Sequence, residues 1–177
     1  MTHWQPHLDG PTIRLRPMVE ADYEPLFAAA SDPLIWAQHP DHLRYTRERF
    51  DVYFRGGIES RGALVVADQR TGAIIGSSRY AGHDPALSTV EVGWTFLTRP
   101  FWGGGTNREL KTLMLDHAFA VVDGVLFFVG DTNIRSQRAM KKIGGVEIRR
   151  ETVAERNSGA TSVVFLIAKS QWLARNS

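Results

Sequence analysis

The chain has 177 residues, which is the length of one compact α/β domain and short for two. Its composition, 43% hydrophobic and 23% charged, is that of a globular protein and excludes disorder as an answer for the whole chain. The absence of cysteine excludes disulfides, cysteine-based zinc sites and cysteine nucleophiles. The formal net charge of +2 is too small for an electrostatic footprint on nucleic acid. We expect a single domain over residues 1–177 with no nucleic-acid partner.

The sequence also carries no membrane or export signal. The longest apolar runs, residues 125–129 and 163–168, are far shorter than the roughly 18 to 20 residues that cross a bilayer. The first nine residues lack the basic and apolar regions of a signal peptide. We therefore expect a cytoplasmic location and no membrane partner.

The first half of the chain predicts a strand, two helices and an antiparallel meander. Residues 12–16 alternate between apolar and polar side chains and end at a proline. Asp22 is the predicted cap of a first helix, and Thr46 is the predicted cap of a second helix that ends at residues 56–57, a pair of glycines. Three strand-like runs follow, at residues 63–68, 73–80 and 88–97.

The second half predicts a long helix, a central strand, a further helix and two strands. Residues 110–121 carry the apolar stripe of an amphipathic helix that ends at residues 123–124. Residues 125–129 are entirely apolar, as in a strand covered on both faces. Asn133 caps the next helix, which Gly144 closes, and strands follow at residues 146–151 and 161–168. The order predicts an α/β fold with a mixed sheet and helices on both faces.

Three consecutive glycines, Gly103, Gly104 and Gly105, join the strand at residues 88–97 to the long helix. Glycines let a backbone approach a ligand closely, and a helix N-terminus favours an anion such as a phosphate. The loop lacks the Gly-Lys-Ser/Thr of a Walker A motif and the spacing of a dinucleotide fingerprint. Taken alone, it is either a phosphate site or a plain flexible turn.

Three segments around this loop resemble one protein family. Residues 90–97 (VEVGWTFL), 101–110 (FWGGGTNREL) and 131–144 (DTNIRSQRAMKKIG) closely resemble the GNAT N-acetyltransferase superfamily, in its Rim-like branch of protein N-terminal acetyltransferases. The resemblance implies a mixed, mostly antiparallel central sheet that is splayed in the middle. It also implies an N-acetyltransferase that moves the acetyl group of acetyl-CoA to a primary amine by direct transfer in a ternary complex.

The same resemblance identifies residues for the acetyl-CoA site. In the family loop Q/R-x-x-G-x-G/A, Trp102 takes the first position, Gly105 is kept, and Asn107 replaces a glycine or alanine. The helix motif N-x-x-S/A-x-x-x-Y-x-K-x-G is met except at its tyrosine, which is Met140 here. For Arg138 and Lys142 a solvated helix face is the alternative. The implied cofactor-binding residues are Phe96, Leu97, Trp102, Gly103, Gly104, Gly105, Thr106, Asn107, Asn133, Ser136, Arg138 and Lys142.

Acetyl transfer needs an unprotonated amine and hydrogen-bond donors for the thioester oxygen. Glu91 is the candidate general base, with a solvent-facing carboxylate as the alternative, and backbone N–H groups near residues 95–97 are the candidate donors. Alternation along the strand predicts Val90, Val92, Trp94 and Phe96 on one face and Glu91, Gly93 and Thr95 on the other.

The group that protonates the leaving thiolate is left open by the sequence. Methionine cannot donate a proton, so Met140 cannot serve as the general acid. Either Ser136 or water is the acid, or the thiolate leaves unprotonated.

The acceptor end is less defined. By resemblance, Trp36, His39 and His42 border the acceptor pocket, as do Asp84 and the turn at residues 156–159, with ordinary loop residues as the alternative for each. The six histidines show no metal-ligand spacing, so no metal is expected, and His117 is interpreted as a core residue. A protein α-amine, a polyamine, an amino acid and an aminoglycoside all remain possible acceptors, and the chain is expected to be a monomer or homodimer.

Two other functions compete with the acetyltransferase hypothesis. An acyl-CoA-binding sensor with little catalysis would explain the methionine in place of the tyrosine. Nucleotide binding at the glycine loop is the third interpretation, although the loop has no lysine and no evident acid for Mg²⁺.

Overall fold

One eight-stranded sheet organises the protein in the computed structural model, which describes residues 4–154, 156 and 159–175. The strands are β1 (Leu8–Asp9), β2 (Ile13–Pro17), β3 (Ala63–Asp68), β4 (Ile74–Asp84), β5 (Thr89–Leu97), β6 (Gly124–Gly130), β7 (Val146–Thr152) and β8 (Thr161–Ala168). Their spatial order is β1-β2-β3-β4-β5-β6-β8-β7. Among these described strands only the β5–β6 pair is parallel, so the sheet is mixed and mostly antiparallel, as predicted.

Helices cover both faces of this sheet. They are α1 (Tyr23–Ala30), α2 (Pro33–Trp36), α3 (Arg47–Ser60), α4 (Thr106–Ala118), α5 (Ile134–Lys142) and α6 (Lys169–Arg175). Neighbouring residues of β3 show the two faces, because Leu64 packs in a core with α4 and α5 whereas Val65 packs in a core with α1 and α3. The predicted α/β fold with helices on both faces is confirmed.

A bulge in β5 divides that strand into two parts. Ser77 of β4 lies opposite Phe96, but Arg79 lies opposite Gly93, so β5 holds one extra residue between these pairs. Trp94 in this stretch has a φ of 51°.

The bulge overturns the predicted alternation. Val90 and Val92 pack in the α4-side core, whereas Trp94 and Phe96 pack in the α1–α3 core. The four side chains therefore do not share one face, because the extra residue shifts the pleat by one position.

The sheet opens next to this bulge. β5 pairs with β6 only between Thr89–Glu91 and Gly124–Leu126, although β5 continues to Leu97 and β6 to Gly130. The predicted splayed centre of the sheet is thereby confirmed.

Several predicted boundaries were wrong. The second predicted helix, α3, runs through its glycine pair to Ser60, and the long helix, α4, stops at Ala118. Asp22 does not cap α1 with its side chain; it binds the guanidinium of Arg16 and accepts the N–H of Val19. The sequence analysis did not predict β1, α2 or α6. Among the described residues, no helix is long and apolar enough to span a membrane.

Candidate active site

A cleft of about 1350 Å³ opens where β5 and β6 separate. The glycine loop, α5 and the segment from α2 to α3 form its other walls. Most of the predicted site residues line it, namely Trp36, His39, Glu91, Phe96, Leu97, Trp102, Gly103, Gly104, Gly105, Asn107, Asn133, Ser136, Arg138 and Lys142.

Other predicted residues lie elsewhere among the described residues. Thr106, the first residue of α4, is not part of the cleft wall. Asp84 is also outside, because its carboxylate accepts the N–H groups of Ala86 and Leu87 and so caps the β4–β5 turn. His42 does not line the cleft either. Of the turn at residues 156–159, Arg156 lines the cleft, and residues 157 and 158 lie outside the described residues.

The glycine loop presents open backbone to the cleft. Gly103 has a φ of +75°, a conformation that favours glycine, and a Cβ added at Gly104 or Gly105 would meet no atom within 4 Å. The first backbone hydrogen bond of α4 runs from Glu109 N–H to Gly105 O, so the N–H groups of residues 105–108 have no acceptor within the helix. This end of the cleft can hold an anion.

Helix α5 forms the opposite wall of the same mouth. Asn133 caps it as predicted, with its Oδ1 accepting the N–H of Ser136 at 3.2 Å. Met140 is 4% exposed and lines the cleft. The guanidinium of Arg135 lies 4.0 Å from the ring centroid of Trp102 and donates to the carbonyl of Ile35, so it joins α5 to the glycine loop and to α2.

Glu91 is the one buried carboxylate of the β5 wall. It is 6% exposed, and its Oε1 accepts a hydrogen bond from Arg156. Burial raises the pKa of Glu91, while the hydrogen bond from Arg156 acts in the opposite direction. A carboxylate with a raised pKa in a cleft is suited to accept a proton.

Lys111, a buried cation at the opening of the sheet, was not among the residues predicted from the sequence. Its Nζ donates to Thr95 Oγ1 at 2.8 Å on β5 and lies 5.2 Å from the ring centroid of Phe127 on β6. Burial lowers the pKa of Lys111 from 10.5 to about 7. Helical spacing could have signalled this burial, because Lys111 lies three and seven residues before Met114 and Ala118 of the apolar stripe.

Aromatic side chains form the end of the cleft where an acceptor was predicted to bind. Trp36 is 2% exposed and donates from its indole to the carbonyl of Ala30, and the hydroxyl of Tyr53 donates to the carbonyl of Trp94. Burial lowers the pKa of His39 to about 3, so its imidazole is neutral at pH 7. Within the described part of the chain, no cluster of three or more potential metal ligands is present.

The family follows from sequence comparison together with this geometry. The sequence profile of the acetyltransferase (GNAT) domain matches residues 12–146, which is more than half of the chain. The chain belongs to the GNAT acetyltransferase family. The resemblance seen in the sequence is confirmed.

Solved GNAT acetyltransferases share the fold. A GCN5-related N-acetyltransferase from Brucella melitensis superposes with a TM-score of 0.82 and 20% identity, over 96% of this chain and 81% of that one. A protein from T. thermophilus assigned as an acetyltransferase is 30% identical, with a TM-score of 0.75 over 98% and 95% of the two chains. Mycobacterium smegmatis RimJ in complex with CoA-disulfide is 15% identical, with a TM-score of 0.72 over 96% and 90%. A search of curated protein sequences finds no significant match.

Proposed function

We propose that this GNAT enzyme, as one domain over residues 1–177, transfers the acetyl group of acetyl-CoA directly to a primary amine in a ternary complex. One observation carries the proposal. The open glycine loop and the buried carboxylate of Glu91 line a single cleft at the point where the sheet splays.

The mouth of the cleft fits the phosphates of CoA. The open space beside Gly104 and Gly105 lets phosphate oxygens approach the N–H groups at the start of α4. Arg138 and Lys142 of α5 add positive charge on the facing wall. RimJ from M. smegmatis, with the same fold, binds a CoA derivative.

One backbone N–H group of β5 is suited to hold the thioester oxygen. Thr98 N–H donates to Ile75 O at 2.8 Å, and donors alternate sides along an antiparallel ladder, so the N–H group of Leu97 faces the gap toward β6. When bound, acetyl-CoA supplies a thioester carbon that an amine nitrogen can attack. A donor fixed toward the gap would stabilise negative charge on the oxygen.

Glu91 takes the proton of the attacking amine in this proposal. Its raised pKa makes the carboxylate a stronger base than that of an exposed glutamate. Met140 cannot protonate the departing sulfur, so Ser136, which also lines the cleft, or water donates a proton, or the thiolate leaves unprotonated. The acceptor is a small-molecule amine or a protein N-terminus, and the enzyme works as a monomer or homodimer.

Release of free CoA from acetyl-CoA, measured against a panel of amines, tests the proposal. We expect amine-dependent release and a calorimetric affinity for acetyl-CoA that exceeds the affinity for ATP. Tight acetyl-CoA binding without release for any amine would favour an acyl-CoA sensor. Tighter binding of ATP would favour the nucleotide site.

A further inference from the structure

Two buried arginines at the acceptor end have too few anionic partners. Arg44 and Arg79 both line the cleft. Their Nε atoms are the buried side-chain nitrogens that lack a hydrogen-bond partner within the part of the chain that the structure describes. Burying a guanidinium without full pairing is unfavourable. Two such groups in a cleft therefore indicate that they bind a ligand there.

Arg44 lies between two aromatic rings and shares its one carboxylate. Its guanidinium is 5.1 Å from the ring centroid of Trp36 and 4.9 Å from that of Tyr53, and its side chain is 11% exposed. Asp41 lies 3.4 Å from Arg44 Nη2, but it also binds Arg49 Nε at 3.1 Å. One carboxylate therefore serves two guanidinium groups.

His39 does not relieve this charge. Its Nδ1 accepts the N–H of Asp41 at 2.9 Å, so the proton of the neutral ring resides on Nε2. That nitrogen faces Arg44 Nη1 at 3.4 Å, and a donor facing a donor makes no hydrogen bond. The charge of Arg44 stays incompletely neutralised toward the cleft.

Arg79 of β4 is likewise little exposed and incompletely paired. It is 7% exposed, donates to the carbonyl of Tyr53 at 3.0 Å, and lies 4.6 Å from the ring centroid of Trp94. Among the described residues it forms no ion pair, and Glu91, whose charge acts on it, is paired with Arg156.

The net charge of this end of the cleft also favours an anionic ligand. Among the described residues, Asp41 and Glu91 are the only acids that line the cleft. The arginines at this end outnumber them, and they are Arg44, Arg49, Arg79 and Arg156. A polyamine or an aminoglycoside, with several positive charges, would be repelled by such a wall.

We propose that the acceptor is a primary amine that carries a carboxylate. The guanidinium of Arg44 binds this carboxylate, assisted by the positive charge of Arg79, while the amine lies beside Glu91. This inference rests on the proposed acetyltransferase function and names its substrate class. The carboxylate belongs either to a free amino acid or to an acidic residue at the start of a protein chain. Both sources offer an amine and a carboxylate to the arginine-lined wall of the cleft.

Matched acceptors test the inference in the wild-type enzyme. CoA release is measured with glutamate and aspartate, with their α-amides and side-chain amides, with spermidine, and with short peptides that begin with an acidic residue or with its amide. For the free acids we expect kcat/KM to fall roughly 10- to 100-fold in one of the two amides, the one that neutralises the carboxylate bound by Arg44, and for the peptides to fall by the same factor in the amide, because a charge-assisted hydrogen bond is lost. Turnover of the free amino acids but not the peptides would identify a free amino acid as the source of the carboxylate, and the reverse would identify a protein chain.

The variant Arg44→Met tests the residue. Methionine keeps an apolar side chain between the rings but removes the charge, so the preference for the carboxylate should fall to near unity while acetyl-CoA affinity is unchanged. Arg47→Met is the matched control, since Arg47 is exposed and pairs with Glu24 away from the cleft. It should leave the preference unchanged.

The outcomes separate the two proposals. If no amine supports CoA release, the acetyltransferase function itself fails. If wild type turns over spermidine, or every amide, as fast as the corresponding acid, the enzyme is an acetyltransferase and the anionic acceptor is refuted. The wild-type comparison decides this even if Arg44→Met does not fold.

Discussion

At the scale of single residues, burial decides what the ionisable groups of the cleft can do. Glu91 and Lys111 are both almost fully buried, yet the pKa of Glu91 is raised and that of Lys111 is lowered, because burial disfavours the charged form of either group. Each shift moves the pKa of the group toward the neutral pH at which most enzymes work.

Replacing Glu91 with glutamine should reduce turnover by roughly 10²- to 10⁴-fold and leave acetyl-CoA affinity unchanged. Glutamine keeps the volume and the hydrogen-bond acceptor for Arg156 but removes the basic site. The remaining rate should rise with pH, because solvent then deprotonates the amine. Steady-state kinetics and calorimetry give the two quantities.

Glu147→Gln is the control for this change, since Glu147 is an exposed residue of β7. An unchanged rate in Glu91→Gln would show that the carboxylate does not take the amine proton. Loss of the folded state would make Glu91 a structural partner of Arg156.

Lys111→Met should stabilise the protein at pH 7, and the gain should shrink as the pH rises. With a pKa of about 7 when folded and 10.5 ordinarily, Lys111 binds its proton more readily in the unfolded chain between these values. Wild-type stability therefore rises with pH in that window by up to ~1.4 kcal/mol per pH unit, and the methionine variant lacks this contribution. Urea unfolding at pH 7, 8, 9 and 10 measures the gap; a constant gap would contradict the buried, shifted lysine.

At the scale of elements, the junction between β5 and α4 combines two irregularities. The bulge at Trp94 turns the end of β5 away from β6, and the glycine loop then starts α4 beside the gap. The packing of the protein does not require glycine at Gly104 or Gly105, because their Cβ positions are open. The open backbone is consistent with a site that a ligand fills.

Gly105→Val should weaken acetyl-CoA binding at least about tenfold, or ~1.4 kcal/mol, while the protein stays folded. Gly105 has a φ of −77° and a ψ of −14°, which other residues adopt, and a Cβ there meets nothing within 4 Å. The loss would thus come from the ligand's space. Calorimetry beside a melting curve tests it.

Gly105→Ala adds only a methyl group and should lie between wild type and valine. Gly103→Ala provides the contrast, because a φ of +75° makes that change strained in the protein itself. Unchanged affinity in a folded Gly105→Val would refute the assignment of the loop to acetyl-CoA.

At the scale of the whole molecule, the cleft separates two halves of one sheet. β5 and β6 share a short paired stretch, and beyond it the walls are connected through Arg135 and through the helices. A ligand that contacts both the glycine loop and α5 would bridge these walls. It would bind the folded chain and not the unfolded one.

Acetyl-CoA at about 100 times its Kd should therefore raise the free energy of unfolding by ~2.7 kcal/mol. Thermal unfolding with and without acetyl-CoA measures the shift, and ATP at the same concentration is the control for the adenine nucleotide and its charge. An equal shift with ATP would mean that the thioester arm adds nothing to binding.

Elements with local signals could be predicted from the amino-acid sequence. Asn133 was identified as a cap, residues 125–129 as a buried strand and the glycine loop as the junction before a long helix, because capping, apolar runs and glycine act within a few positions. The same motifs carried the family resemblance. The general base, the acetyl-CoA contacts and the cytoplasmic location stay predictions.

Tertiary structure decided what depends on distant residues. α3 continues through its glycines because Gly57 packs against Met18 and Ala63, and Trp94 changes face because β4 and β5 pair with one residue out of step. Lys111 meets Thr95 across 16 positions, and Asp84 turns to its own loop instead of the cleft. Arg44, Arg79 and Glu91 come from three separate segments, so this cluster of charges in the cleft exists only after folding. Burial then removes water, and each group interacts with the partners that the fold brings near.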